Sequence, residues 1–469
     1  MEMKARTPVR KNLLIILSVW CTLAPAIGKA QSGWTEDECM RYAIRHNLRI
    51  RNRQLEVKRT QADIMAAYGD FLPSVQATGA SGKQFGRSID PLTNQYTSET
   101  FRESTIGLSI SLPVFEGFSR IHKLQFHRLN KKINVLSCQM EENDLAFEVL
   151  EAFYNHCFDQ EMYELAIEQR KLSECYQEQM REYVELGLRS LSDLQEMKAR
   201  LQSDIYQETV KSNSCRLSLL TLKELMNMKD ADTLSVCRTE EQTDAAICPP
   251  SADELYAASE SVLPEFHIMR MKEKTSRKSL AVANGAFYPS VRMEFNLNTG
   301  YYDTEKDPAG GIVPFRKQWD DNMNKYVGVC VSLPLFNGLS RIGARRKEKL
   351  RLQQIQNDNE LQRLSLYKEI HDACLSFSAT REECRLAQEQ LRADSLTWRE
   401  SEEKWREGLV SMFELLEKRN RYIRAKAETI RTKLQYSLKK RMIQFYQEGT
   451  FLSNDTLFNL DENDASNGL

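Results

Sequence analysis

The chain has 469 residues, 28% of them charged, with 65 Lys and Arg against 66 Asp and Glu and a mean hydropathy of −0.54. Charge balanced this closely leaves no basic footprint for nucleic acid, and no run of 18 apolar residues follows the first 30, which excludes a spanning helix there. A membrane β-barrel is not excluded, because its strands carry only a weak alternating signal.

Residues 1–30 read as an export signal. Lys4, Arg6, Arg10 and Lys11 form the basic start, Leu13 to Val19 the apolar stretch, and Gly28-Lys29-Ala30 a cleavage site before Gln31. Trp20 before Cys21 argues against lipid attachment. Eleven cysteines in an exported chain raise the question of disulfides. Cys138, Cys157, Cys175, Cys215, Cys374 and Cys384 are scattered singly along helical stretches and read as buried free thiols, which leaves Cys237 and Cys248 as the pair to consider.

Trp34-Thr35-Glu36-Asp37-Glu38 opens the mature chain, with Thr35 and Glu38 spaced as a capping box. One helix is expected from there to just before Pro73, since the residue ahead of a proline is pushed into extended backbone. Period-two segments follow. Ile106, Leu108, Ile110 and Leu112 alternate with small or polar residues, as do Val291, Met293, Phe295 and Leu297, then Val327, Val329, Val331 and Leu333. A fainter strand begins at Val75. Polar loops over 83–103 and 302–322 separate the strands of each pair, and Tyr96, Tyr301 and Tyr302 cluster near strand ends. An apolar face opposed by a polar one, with aromatics at the rim, points to a transmembrane barrel around water rather than a soluble hairpin.

These features occur twice. Ser-Leu-Pro-Val-Phe-Glu-Gly-Phe-Ser-Arg-Ile over 111–121 returns as Ser-Leu-Pro-Leu-Phe-Asn-Gly-Leu-Ser-Arg-Ile over 332–342, an offset of 221. Phe71-Leu72-Pro73-Ser74-Val75 is echoed by Phe287-Tyr288-Pro289-Ser290-Val291. Gly117 to Gly187 and Gly338 to Gly408 are both 70 residues apart, so the segment between has a fixed physical length. It is free of proline and rich in helix formers. Ile370, Phe377, Cys384, Leu391, Trp398 and Trp405 form one heptad column, beside Leu366, Ala373, Thr380 and Ala387, which is coiled-coil spacing. Val149, His156 and Tyr163 mark the rougher column of the first copy.

Gly187 and Gly408 suit the left-handed position that stops a helix, and Ser190 with Asp193 and Ser411 with Glu414 are spaced as capping boxes for the helix that returns. Leu194, Met197 and Leu201, then Leu409, Leu416, Ile423 and Ile430, mark the apolar faces of those helices. The expected fold is mainly α with a small β part, a strand hairpin plus a long helical hairpin in each copy. The divisions are 1–30 signal, 31–227 first repeat, 228–262 equatorial linker, 263–449 second repeat and 450–469 a disordered tail. Four strands cannot close a barrel in lipid, so several chains must complete it: two give eight strands with a lumen filled by side chains, three give twelve around water, and the polar inward faces favour three.

In this order, the Trp34-Thr35-x-x-Glu38 opening, the two Leu-Pro-x-Phe-x-Gly junctions and the two Gly-x-x-Ser-x-x-acid tips resemble the outer membrane efflux protein family, the TolC-like channels, over essentially the whole mature chain. The resemblance implies a homotrimeric 12-stranded β-barrel in outer-membrane lipid, standing on an α-helical coiled-coil cylinder across the periplasm. It implies a periplasmic adaptor and an inner-membrane RND or ABC transporter as partners; the balanced charge gives no nucleic-acid partner, and no motif calls for a cofactor. Glu414 and Glu417 match the family's pore-constricting acids, against which stands a plain capping or solvated role. Asp193 matches the acidic member of the family's closing lock, but Trp405 and Val410 stand where a tyrosine and an arginine are needed, so that lock cannot be made, and whether another pairing, such as one through Arg189, replaces it is left open by the sequence. Leu188, Leu191 and Leu409 are expected to touch the adaptor, or else to pack within the tip.

Six His lie singly on helices, no phosphate-cradling glycine loop is present and no nucleophile has a partner base, so no enzyme activity is assigned. The alternative for the whole chain is an exported coiled-coil spacer. An adaptor subunit is disfavoured because the helical hairpin is duplicated.

Overall fold

The computed structural model describes residues 33–89, 94–98, 100–229, 234–236 and 251–452. The export signal at 1–30, the Cys237 and Cys248 pair and all but the first residues of the 450–469 tail lie outside the described residues. The chain opens with α1 (Glu36–His46) and α2 (Leu48–Gly69), followed by β1 (Ser74–Gln84), the short pair β2 (Ser88–Ile89) and β3 (Tyr96–Thr97), and β4 (Phe101–Glu116). The first copy closes with α3 (Ser119–Glu185) and α4 (Leu191–Leu225). Then α5 (Ala252–Val262) and α6 (Pro264–Gly285) lead to β5 (Ser290–Tyr302), α7 (Phe315–Asp321) and β6 (Asn324–Ser332), before α8 (Ser340–Arg406) and α9 (Met412–Glu448). Two compact units result: one of residues up to Leu48, Glu142–Leu255 and Asp372 onward, the other of Arg49–Glu141 and Tyr256–His371.

The second unit contains a four-stranded antiparallel sheet in the order β1-β4-β5-β6, so strands of both copies join directly. Its register sorts side chains by polarity. Val75 faces Ile110, which faces Phe295, which faces Val327, and Leu112, Met293 and Val329 align beside them. The intervening positions align Gln76, Ser109, Asn296 and Tyr326, then Ser111, Glu294 and Gly328. One face is therefore apolar and the other polar. β1 and β6 are its outer strands, and every described residue of β1 is exposed.

Each junction from strand to long helix uses the same backbone. Gly117 and Phe118 have φ of 56 and 61°, and Gly338 and Leu339 have φ of 62 and 66°. Glycine is required at 117 for a second reason: a Cβ there would sit 2.3 Å from the carbonyl oxygen of Gly285.

Two expectations need correction. The stretch from Thr35 to Pro73 is not one helix but breaks at Asn47, whose backbone is extended and whose Nδ2 donates to the Leu225 carbonyl at 2.8 Å. A bond to the distant end of α4 outweighs local helical continuity there. Nor is 302–322 an open loop. Gln318 is fully buried; its Nε2 donates to the Tyr302 and Val313 carbonyls, both at 2.9 Å, and its Oε1 accepts from the Tyr302 N–H at 2.8 Å. These bonds, with Tyr301 against Phe315 at 5.6 Å, hold α7 on β5.

Helices α3 and α8 are each 67 residues, which at 1.5 Å per residue is on the order of 100 Å. In α8, Leu366, Ile370, Ala373, Phe377, Thr380, Cys384, Ala387 and Trp405 are buried, with Leu391 and Trp398 half-buried; in α3, Val149 and His156 are buried. Among the thiols, Cys39, Cys138, Cys157, Cys374 and Cys384 are buried; Cys175 is exposed and Cys215 half-buried, against the burial expected of both, and Cys330 is exposed as well. Burial pushes the Cys39 thiol up to about 12.

Candidate gate at the helical tips

The tips lie in the first unit. Helix α3 ends in a Schellman turn: Gly187 has φ of 72°, its N–H bonds to the Val184 carbonyl at 3.0 Å, and the Leu188 N–H bonds to the Tyr183 carbonyl at 2.8 Å. The second copy repeats this at Gly408, with φ of 78°, bonding to Trp405 at 3.0 Å, while Leu409 bonds to Lys404 at 2.8 Å. Ser190 then forms a full capping box with Asp193: its Oγ accepts from the Asp193 N–H at 3.1 Å and its own N–H donates to the Asp193 carboxylate at 3.2 Å. At Ser411 only the serine's half is formed, with Oγ accepting from the Glu414 N–H at 3.2 Å. The second tip thus departs from the expected symmetric box: the Glu414 carboxylate does not return a bond to the Ser411 N–H, although Glu38 and Glu254 make that bond to Thr35 and Ser251.

Behind the turns the two hairpins pack on each other. Tyr176, Met180, Leu194 and Met197 of the first meet Trp405, Met412, Leu415 and Leu416 of the second, with Tyr183, Val184 and Val410 at the margin. Trp405 meets Tyr176 edge-on at 5.5 Å. The Tyr176 hydroxyl donates to Glu402 at 3.2 Å, and burial raises its pKa well above the usual phenol value.

One heptad further from the tip the chemistry changes. Ser173, Asp204 and Arg419 stand seven residues from Met180, Met197 and Met412, and all three are buried. The Arg419 guanidinium donates to Ser173 Oγ at 2.8 Å, to the Gln169 carbonyl at 2.8 Å and to the Asp204 carboxylate at 3.3 Å, while Ser173 donates to Asp204 as well. Arg200 approaches the other Asp204 oxygen at 3.3 Å. Burial lowers the Arg419 pKa, against the opposing pull of Asp204. This layer is absent from the sequence reading. Its signal was available, as charged residues standing in heptad register with buried methionines.

The residues singled out in sequence distribute as follows. Asp193 is engaged in its cap, and Trp405 and Val410 contribute to the apolar cluster. Glu414 and Glu417 lie three positions apart and exposed in the first turns of α9. Leu188, Leu191 and Leu409 are 67, 64 and 70% exposed, and Phe413 beside them is 70% exposed. Leu409 therefore precedes the buried face of α9 rather than belonging to it, because the Schellman turn places it outside the helix.

The model of the outer membrane efflux protein family matches two stretches, residues 40–227 and 263–444, more than half of the chain and one stretch per repeat. The chain belongs to the outer membrane efflux protein family. No curated protein matches the sequence. Among solved structures, the fold is similar to the CmeC outer membrane channel of Campylobacter jejuni at a TM-score of 0.74 and 14% identity, covering 90% of this chain and 87% of that one. It is similar to the outer membrane protein VceC of Vibrio cholerae at 0.74 and 12%, covering 89% and 97%. It is similar also to the open-state MtrE outer membrane channel of Neisseria gonorrhoeae at 0.72 and 16%, covering 90% and 91%. This efflux protein has the TolC-like fold, mainly α with a small β part. Among the described residues, no helix is long and apolar enough to cross a membrane.

Proposed function

We propose that this efflux protein is the outer-membrane duct of a tripartite efflux or type I secretion system, a passive exit for small molecules or proteins with no enzymatic step of its own. Three copies complete a 12-stranded barrel in outer-membrane lipid, and the helices of repeats 31–227 and 263–449, joined through 228–262, wall a periplasmic cylinder. The observation that carries this reading is the sheet: one apolar face across all four strands, a polar face behind it, and outer strands β1 and β6. An open edge in lipid leaves backbone groups unsatisfied, and pairing β6 of one copy with β1 of the next removes both edges.

At the other end, Glu414 and Glu417 form acidic rings at the constriction, which attract cations and repel anions. The turns at Gly187, Ser190, Asp193, Gly408 and Ser411 are the moving gate. Leu188, Leu191 and Leu409 dock a periplasmic adaptor, which joins the duct to an inner-membrane RND or ABC transporter; their exposure supports this. Conductance in a planar bilayer tests the duct, since an exported spacer gives none. Glu417→Ala is expected to weaken block by multivalent cations, and unchanged block removes the ring assignment. Crosslinking in cells identifies the adaptor and transporter.

A further inference from the structure

We propose that the basic segment opening α8 binds anionic phospholipid headgroups at the leaflet where the sheet ends and the helices begin. This rests on the membrane reading of the sheet given above. Residues 341–351 hold six cations and one acid. Arg345, Arg346, Lys347, Lys349 and Arg351 are exposed, and none makes an ion pair or hydrogen bond among the described residues. The one acid, Glu348, is turned to α6, accepting from Ser279 at 2.8 Å.

The first copy treats its cations differently. There Arg120 pairs with Glu116 at 3.0 Å, Lys123 pairs with Asp70 at 2.8 Å, and Arg128 lies over the Tyr68 ring at 5.4 Å. In the second copy Asn337 stands where the first has Glu116, and Ala286 where it has Asp70. Both internal anions are gone while more cations have been added, so the neutralising charge must come from outside the chain.

The surroundings select a lipid over a free anion. Leu335, Phe336 and Leu339, just before the cations, are 87, 81 and 63% exposed. They follow the apolar-face residue Val331 and the exposed Leu333 along the chain, beyond the end of β6, and Arg345 follows Ser340 by a helical rise of under about 10 Å. Apolar side chains at the acyl boundary with cationic heads just beyond, on stems long enough to reach back, are the arrangement that meets a phospholipid surface. A soluble phosphate would use the cations and leave the leucines and phenylalanine without a role.

The test uses the full-length protein reconstituted in vesicles of phosphatidylcholine alone and of equimolar phosphatidylcholine and phosphatidylglycerol, with lipid retained after mild extraction read by native mass spectrometry. A cation beside an anionic surface strengthens binding roughly fivefold, so the wild type is expected to retain phosphatidylglycerol over phosphatidylcholine by roughly tenfold or more, less at high salt. The variant Arg345→Gln/Arg346→Gln/Lys347→Gln/Lys349→Gln is expected to lose that preference while conductance persists. Equal preference in variant and wild type overturns the proposal. So does a variant that keeps its lipid and shifts ion selectivity instead, which would turn the cations toward the lumen. A wild type that inserts into neither vesicle overturns the membrane reading itself, a result distinct from insertion without lipid preference.

Discussion

Two neighbouring layers of the tip occupy equivalent heptad positions and solve the packing problem in opposite ways. Met180, Met197, Trp405 and Met412 fill one with apolar volume; Ser173, Asp204, Trp398 and Arg419 occupy the next, where a guanidinium and a carboxylate are nearly inaccessible to water. The apolar layer gains stability from burial alone, at about 25 cal/mol per Å². The polar layer faces a desolvation cost for each ion, offset only because Arg419 finds an anion, a hydroxyl and a carbonyl together. A methionine tolerates a sliding helix. The Arg419 bonds do not, since a shift of one residue breaks all of them. The polar layer therefore fixes the register of the second hairpin on the first, while the apolar one holds them together.

The largest expected effect comes from breaking the polar layer on one side. Arg419→Ala leaves the Asp204 carboxylate buried without its main cation and should cost about 3–5 kcal/mol, read by chemical denaturation in detergent. The double change Arg419→Leu/Asp204→Leu should recover most of that loss, because matched apolar replacement of a buried pair is often neutral. A double variant as unstable as the single one would mean that packing volume, not the orphaned charge, sets the cost. Met412→Ala, in the apolar layer, is expected to lose about 2–4 kcal/mol by cavity formation, with no comparable rescue by a second substitution.

A third buried position on the same long helix sharpens the contrast with a neutral polar group. His156 is buried, its Nδ1 lies 3.1 Å from Ser218 Oγ, and burial lowers its pKa from 6.5 despite the nearby Asp159 carboxylate. With the folded pKa below the unfolded one, the unfolded state binds more protons as the medium acidifies. The stability His156 contributes is thus complete above about pH 6.5 and declines as pH falls below it. His156→Gln should flatten that part of the stability profile, whereas the double change Arg419→Leu/Asp204→Leu, which removes both charges together, should leave its slope intact.

How much of this was legible in the sequence follows from the range of each interaction. The duplication, the strand faces and the α8 columns from Leu366 to Trp405 depend on spacing within one segment, and spacing is what a sequence displays. The break at Asn47 was hidden because its stabilising partner, the Leu225 carbonyl, is 178 residues away. The folding of 302–322 was hidden because the polar Gln318 looks like a loop residue until Tyr302 is placed beside it. At the candidate gate, the glycine turns followed from residue type. The Arg419 layer did not, since a lone arginine in a heptad reads as a surface residue unless its register with Met412 is checked.

The smallest effects distinguish the two turns that carry these layers. Each tip serine satisfies an amide that its helix leaves free, so Ser190→Ala and Ser411→Ala should cost about equally, roughly 1 kcal/mol each. The acids three positions later should not behave alike. Asp193→Ala removes the bond returned to the Ser190 N–H as well as a favourable charge in the first turn of α4, about 1 kcal/mol together. Glu414→Ala removes only the charge, a few tenths of a kcal/mol. Hydrogen exchange at the first-turn amides of α4 and α9 reads each cost locally. Equal acceleration by Asp193→Ala and Glu414→Ala would erase the difference between the turns, whereas a larger effect at Asp193 leaves the second tip as the more easily frayed and the one from which opening would begin.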